Sequence, residues 1–439
     1  MMPNDSPKEL TSWKEIASHL DVTVRTAQEW EKKRGLPVRR VPGGRGRVFM
    51  RLDELEAWLT RGGLASAFAD ADPSAVPDAP RPRLSLLALA GAVAALVVVV
   101  AAALIARSGR PALSGPETPS QWRVTRDNVV ISNEDGEELW RKQFDQQLHT
   151  VQYEDPVLGE PQFVDIDGDG KLETLFLARF QDFTVRSALI CFDARGEELW
   201  RYAASAAIRT ARESFEDIYQ LEAFLPVDLS NGEKAVVVSS VHYSLYPTQI
   251  ALISAIDGQL LQEYWHTGHI GNRPDRLAVG DHNGDGRQEL YALGISNSYD
   301  RATLVVLDFE TMKGASVEEN PAYQFEGFEA PNEVARILFP RSSMSARADD
   351  YNIGAHVWLT PEFINVAVLE SISDSTKPQL IYRLRSDFSQ ARVDATTAFE
   401  GAHKRLVQEN VLTISLEEEM ASLLPLQYVG PGGVLLSRQ

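Results

Sequence analysis

The sequence predicts a multidomain chain: a small all-α/winged-helix domain, one transmembrane helix, and an all-β propeller of about five to seven blades. Three observations predict it. An uncharged apolar stretch at residues 84–106 divides the chain. Its two flanks differ in charge: residues 1–83 hold 14 Lys/Arg against 12 Asp/Glu, residues 111–439 hold 27 against 50, and the 439-residue whole carries −19. The acidic flank also repeats a strand–turn–strand pattern whose turn glycines, Gly136, Gly196, Gly258 and Gly314, are spaced by 60, 62 and 56 residues. The division is 1–63 winged helix-turn-helix, 64–83 flexible linker, 84–106 transmembrane helix, 107–120 juxtamembrane linker and 121–439 propeller.

In the first domain LTSWKEIASHL reads as a helix, with Ser12 and Glu15 at capping-box spacing and Trp13, Ile16 and Leu20 on one face. Asp21-Val22 makes a turn, and Thr23 caps a second helix that presents Arg25, Gln28, Glu29 and Lys32 outward. LPVRRVPGGRGRVFM reads as strand, glycine turn, strand, with Arg39, Arg40, Arg45 and Arg47 on or beside the tip, and LDELEAWL closes the unit. In such a DNA-binding domain the second helix meets base edges and the hairpin arginines meet phosphates. These residues resemble the MerR/excisionase-type winged-helix family. The resemblance implies Thr23, Arg25, Thr26 and Gln28 on a recognition helix and Arg45 and Arg47 on a wing. The long coiled coil of MerR regulators is missing. Glu29 and Glu31 fit the alternative of a head that docks on a cytosolic protein rather than DNA.

Residues 60–83 are Ala/Pro/Asp-rich, a slack tether spanning roughly 25–30 Å. Residues 84–106 would span roughly 35 Å as a helix, enough for the lipid bilayer. Arg81 and Arg83 on one side and Arg107 and Arg110 on the other leave orientation to the domains. A DNA-binding head places the N-terminus in the cytosol, the acidic body outside, and the chain single-pass in a bacterial inner (cytoplasmic) membrane. Ala88-xxx-Ala92 and Gly91-xxx-Ala95 are spaced for a homodimer.

The body carries two copies of one loop, FVDIDGDGKLETLFLA and LAVGDHNGDGRQELYALG. Asp165, Asp167, Asp169 and Glu173, with the carbonyl of Lys171, have the 1-3-5-7-9 spacing that gathers hard oxygens around Ca²⁺. Asp281, Asn283, Asp285 and Glu289, with the carbonyl of Arg287, repeat it. An EF-hand would place its bidentate acid at position 12 between helices, whereas these flanks are apolar β runs. A degenerate third loop, PVDLSNGEKAVVVSS, keeps Asp228. The hairpins VVISNEDGEELWR, ALICFDARGEELWR, ALISAIDGQLLQEYW and LVVLDFETMKG interleave with these loops. Together they resemble the FG-GAP/VCBS β-propellers of integrin α heads, which implies calcium in blade loops and an exposed recognition face. The first copy is a lone hairpin, and the C-terminal VLTISLEEE and LPLQYVG runs are expected to complete it and close the ring.

Cys191, in SALICFD, reads as a buried strand thiol, and His266 and His269 of HTGH as turn caps. No phosphate loop, zinc spacing or nucleophile elbow occurs in the sequence, so no enzyme is expected. The functional expectation is a membrane-bound one-component transcriptional regulator, its propeller sensing an extracytoplasmic ligand or protein. The alternative is a membrane-anchored scaffold or adhesion protein.

Overall fold

The computed structural model describes residues 9–10, 31, 36–40, 48–51 and 117–437, apart from 156, 159, 283, 348–350, 372–373, 389–390, 431–432 and 434. In the first domain β1 (Glu9–Leu10), β2 (Arg39–Arg40) and β3 (Val48–Arg51) form one sheet with β3 central. Arg39 opposes Phe49 and Arg40 opposes Val48, while Leu36, Val48 and Met50 are buried beneath.

Two expectations are corrected. The described part of the first domain is a three-stranded sheet, not an all-α DNA-binding domain. Among the described residues no helix is long and apolar enough to cross a membrane. The longest of them has 12 residues, about 18 Å against a hydrocarbon core of about 30 Å. This overturns the single-pass inner-membrane placement. Thr23, Arg25, Thr26, Gln28, Lys32, Arg45, Arg47 and the 84–106 stretch lie outside the described residues.

From residue 121 onward the chain lays down antiparallel sheets in sequence order. The first is β4 (Gln121–Val124), β5 (Asn128–Ser132) and β6 (Glu138–Gln143). The second is β7 (Gln162–Val164), β8 (Glu173–Ala178), β9 (Ala188–Phe192) and β10 (Glu198–Tyr202). A short ribbon, β11 (Ile208–Arg209) with β12 (Ser214–Phe215), precedes the third. That sheet is β13 (Tyr219–Asp228), β14 (Lys234–His242), β15 (Thr248–Ser254) and β16 (Leu260–His266). The fourth contains β17 (His269–Ile270), β18 (Leu277–Gly280), β19 (Glu289–Ser296), β20 (Arg301–Asp308) and β21 (Ala335–Leu338). The fifth is β22 (Ile353–Leu359), β23 (Ile364–Leu369), β24 (Gln379–Leu384) and β25 (Ala391–Ala395).

The strand sequences follow from this stacking. Central strands are covered on both faces and are mostly apolar, as in ALICF of β9 and, after its leading Glu173 and Thr174, ETLFLA of β8, both buried at every residue. The outer strand β10 alternates instead, burying Trp200 and Tyr202 while Glu198, Leu199 and Arg201 face solvent. Four apolar cores join the sheets in series: first to second, second to third, third to fourth, and fourth to fifth. Cys191 is fully buried in β9, as expected.

Between neighbouring sheets an indole sits on a glycine turn. The φ of Gly196 is +82° and that of Gly258 is +69°, conformations glycine adopts without strain. A Cβ on Gly196 would lie 2.7 Å from the ring of Trp140 in β6, and one on Gly258 would lie 2.8 Å from Trp200 in β10. The Gly-Glu-Glu-Leu-Trp-Arg at 196–201 therefore supplies both parts of the contact, its glycine to the preceding sheet and its tryptophan to the following one.

The C-terminal part departs from expectation. The strand expected after LVVLDFETMKG does not form there. Residues 309–334 instead cross to the third sheet, where Ala315 bridges Trp265, before β21 begins. The VLTISLEEE run is not a strand: Ser415 and Glu418 form a reciprocal capping box that starts a helix. LPLQYVG gives β26 (Gln427–Val429), which pairs with β21 and with β27 (Leu435–Ser437), so the C-terminus extends the fourth sheet and leaves the first at three strands. Helices α1 (Ser343–Arg347), α2 (Thr397–Gln408) and α3 (Leu416–Ser422) complete the chain. Phe399, Ala402 and Leu423 of the last two and the turn after them pack into the core of the fifth sheet.

Candidate metal centre

The two acidic loops occupy equivalent places, one between β7 and β8 and the other between β18 and β19. Their hydrogen bonds repeat at an offset of 116 residues (281 − 165). Asp165 accepts the Gly168 N–H on Oδ1 at 2.7 Å and the Gly170 N–H on Oδ2 at 3.2 Å. Asp281 accepts those of Gly284 and Gly286 at 2.7 and 2.9 Å. The four glycines have φ between +76° and +88°, which turns their amides inward onto the first aspartate. Glu173 Oε2 accepts the Ile166 N–H at 2.9 Å, and Glu289 is held likewise by the His282 N–H. These two amides carry no sequence signature, and the spacing alone did not single them out.

In the first loop the structure brings Asp165, Asp167 and Glu173 together, with carboxylate oxygens all within 4.8 Å of one another. Asp169 stands apart: its Oδ1 accepts the Lys171 N–H at 2.7 Å and its Oδ2 the Lys171 ammonium at 3.1 Å. Burial holds the Glu173 carboxyl above the usual range, against the Ile166 amide that lowers it, and the charges of Asp167 and Asp169 add to the rise. Glu289 is raised by burial in the same way, with Asp285 and Asp281 adding to it. In the second loop Asn283 lies outside the described residues. Asp285 accepts the Arg287 N–H at 2.8 Å, while the Arg287 guanidinium reaches Asp308 of β20 at 2.7 Å. Hard carboxylate oxygens converging on one point, with no nitrogen or sulfur among them, suit a cation of the calcium class.

The degenerate loop is shorter, with five residues between β13 and β14. The Lys234 ammonium donates to Asp228 Oδ1 at 2.7 Å, and Glu310 accepts from Ser230 N and Oγ at 2.8 and 2.7 Å. His266 Nδ1 accepts the Gly268 N–H at 2.9 Å and caps its turn, whereas His269 Nε2 meets Glu222 Oε2 at 2.8 Å. Of the arginines expected at the hairpin tip, Arg39 is exposed on β2.

No protein-family model matches the chain, and no curated protein matches it. Among solved structures it is similar to BamB from Moraxella catarrhalis, at 12% identity and a TM-score of 0.33, over 63% of this chain and 62% of that one. It is also similar to the C-terminal domain of Pseudomonas aeruginosa PilY1, at 14% identity and a TM-score of 0.36, over 64% and 58%. The match spans about three fifths of each solved chain. The described body of this protein is a series of antiparallel sheets laid down in sequence order.

Proposed function

We propose that residues 117–437 form a calcium-dependent recognition module of the FG-GAP/VCBS kind, a binding protein rather than a catalyst. The observation that carries the reading is the first acidic loop. Three carboxylates converge within 4.8 Å, and the second loop repeats its backbone hydrogen bonds. Such crowding stores electrostatic repulsion that a divalent ion relieves. Asp165, Asp167 and Glu173 would hold one ion, and Asp281, Asp285 and Glu289 would contribute to a second. The ion would fix the gap between two strands of each sheet and hold the loop face in one shape for a partner.

Ile166 links this site to a cleft. Its amide binds Glu173, and its side chain lines a cleft of about 220 Å³ between the second and third sheets, with Val164, Leu175, Leu225, Val227 and Val236. Titration calorimetry of the full chain with Ca²⁺ is expected to give two sites, with Asp165→Ala and Asp281→Ala each removing one. At about 100 times Kd each occupied site adds about 2.7 kcal/mol to stability. Absence of binding heat, together with thermal unfolding unchanged by chelator, refutes the reading.

A further inference from the structure

Far from the acidic loops, four titratable side chains meet inside the fifth sheet and its helices. Glu370 follows β23, Tyr382 lies in β24, His403 in α2 and Glu419 in α3. Glu370, Tyr382 and Glu419 are fully buried, and His403 is 3% exposed. The two carboxyls grip adjacent amides at the start of α1: Glu370 Oε2 accepts the Ser342 N–H at 2.9 Å and Glu419 Oε1 the Ser343 N–H at 2.8 Å. Asn352 Nδ2 donates to Glu370 Oε1 at 3.2 Å.

Among the described residues three polar atoms of the cluster have no hydrogen-bond partner: Tyr382 Oη, His403 Nε2 and Glu419 Oε2. His403 Nε2 and Glu419 Oε2 are 3.7 Å apart, too far for a hydrogen bond and close enough to share a proton through a small shift. Among the described residues no lysine or arginine pairs with either carboxyl. The charge count then decides the matter. With both carboxyls ionised the cluster is at −2 with a neutral imidazole and at −1 with a protonated one. A buried charge without a counter-charge costs several kcal/mol, so the packed state must keep a proton on a carboxyl.

We propose that Glu370, Glu419, His403 and Tyr382 form a buried proton-holding latch that fastens the α2–α3 pair to the fifth sheet and to the start of α1, and that withdrawing the proton loosens the pair. Glu419 and His403 sit on the two helices and the other members on the sheet, so repulsion between the carboxylates acts across the joint. Among the described residues the charged or titratable groups facing Glu370 are Glu419 from α3, which His403 of α2 faces in turn, and Tyr382 from β24, and its hydrogen bonds are to the neutral Ser342 and Asn352. Burial pushes the Glu370 carboxyl up to about 7, with the Glu419 charge adding and the Ser342 and Asn352 hydrogen bonds opposing. Release therefore falls in the neutral range.

Hydrogen exchange read by mass spectrometry on the full chain, corrected for intrinsic rates, tests this. Protection of residues 397–422 is expected to fall at least tenfold between about pH 6 and pH 8, while the second and third sheets hold theirs. Glu370→Gln, which keeps the shape without the charge, is expected to abolish the change. Infrared difference spectra give a second readout that does not depend on that variant's stability: wild type should lose a protonated-carboxyl stretch over the same range, and Tyr382→Phe should move its midpoint. Flat protection together with no carboxyl signal, or the same pH dependence in Glu370→Gln, overturns the latch.

Discussion

Replacing Gly258 by alanine tests whether neighbouring sheets are held in register by an indole seated on a turn. The new Cβ would lie 2.8, 2.9 and 3.2 Å from Cε3, Cδ2 and Cγ of Trp200. Trp200 cannot easily yield, because its Nε1 donates to the Ala255 carbonyl at 2.7 Å and the ring is buried. Two costs add. A left-handed φ of +69° costs an alanine about 1–2 kcal/mol, and overpacking a rigid contact costs about 1–3 kcal/mol, so the total is about 2–5 kcal/mol. Gly136 occupies the matching turn of the first sheet at φ +80° with nothing within 4 Å of an added Cβ. Gly136→Ala therefore carries the backbone cost alone. Urea unfolding followed by tryptophan emission should rank Gly258→Ala below Gly136→Ala by about 1–3 kcal/mol. In a Trp200→Leu background that difference should disappear. Gly196→Ala should fall between the two, since among the described residues Trp140 Nε1 has no hydrogen-bond partner to fix its indole. Equal losses for Gly258→Ala and Gly136→Ala, within about 0.5 kcal/mol, would show that the indole contact holds nothing.

The buried Glu370 also sets a stability slope. Its folded carboxyl binds a proton more tightly than the unfolded one, so its contribution is fully present below about pH 4.5 and is lost as pH rises through about 7. The loss is about 3 kcal/mol, and Glu370→Gln should flatten it in chemical unfolding curves taken across that window. Cys191 is pushed up to about 12 by burial, with the Glu173 and Asp193 charges adding. Its thiol should stay inert to a disulfide reagent at pH 8 in the folded protein and react once in denaturant, and rapid native labelling would contradict its burial in β9.

Much of the second, third and fourth sheets is legible in the sequence because their signals are local. Apolar runs such as ALICF are bounded by turns with glycine at positive φ, and the acidic loops have fixed spacing. The third hairpin forms as read, with β15 and β16 flanking Gly258. The departures arise where a local signal has two meanings. LDFETMKG has the acidic turn of its predecessors, but the residues after it include Pro321, Gly327 and Pro331, which do not sustain a return strand. VLTISLEEE alternates like a strand, yet Ser415 and Glu418 stand three apart, and the reciprocal cap wins once Leu423 packs against the fifth sheet. The indole–glycine contact joins residues 56 and 58 apart, and only the placement of the sheets exposes it. The Glu370–Glu419 cluster is drawn from a loop and a helix nearly fifty residues apart, which no spacing rule connects.

The three loops that lead into β8, β14 and β19 face one physical problem, a carboxylate at the end of an inner strand beside other acids. The second and fourth sheets have eight-residue loops whose glycine amides cradle Asp165 and Asp281, the loops proposed above to take an external cation. The third sheet answers it within the chain. Its loop is cut to five residues, Lys234 brings an ammonium to Asp228, and Glu310 reaches over from the end of β20 to hold Ser230. A built-in cation and an external one are alternatives at such a place, because the ammonium occupies the oxygen that the ion would need. The expected stoichiometry is therefore two ions rather than three. On the proposed reading the third sheet, like the first and fifth, would pair its strands without metal.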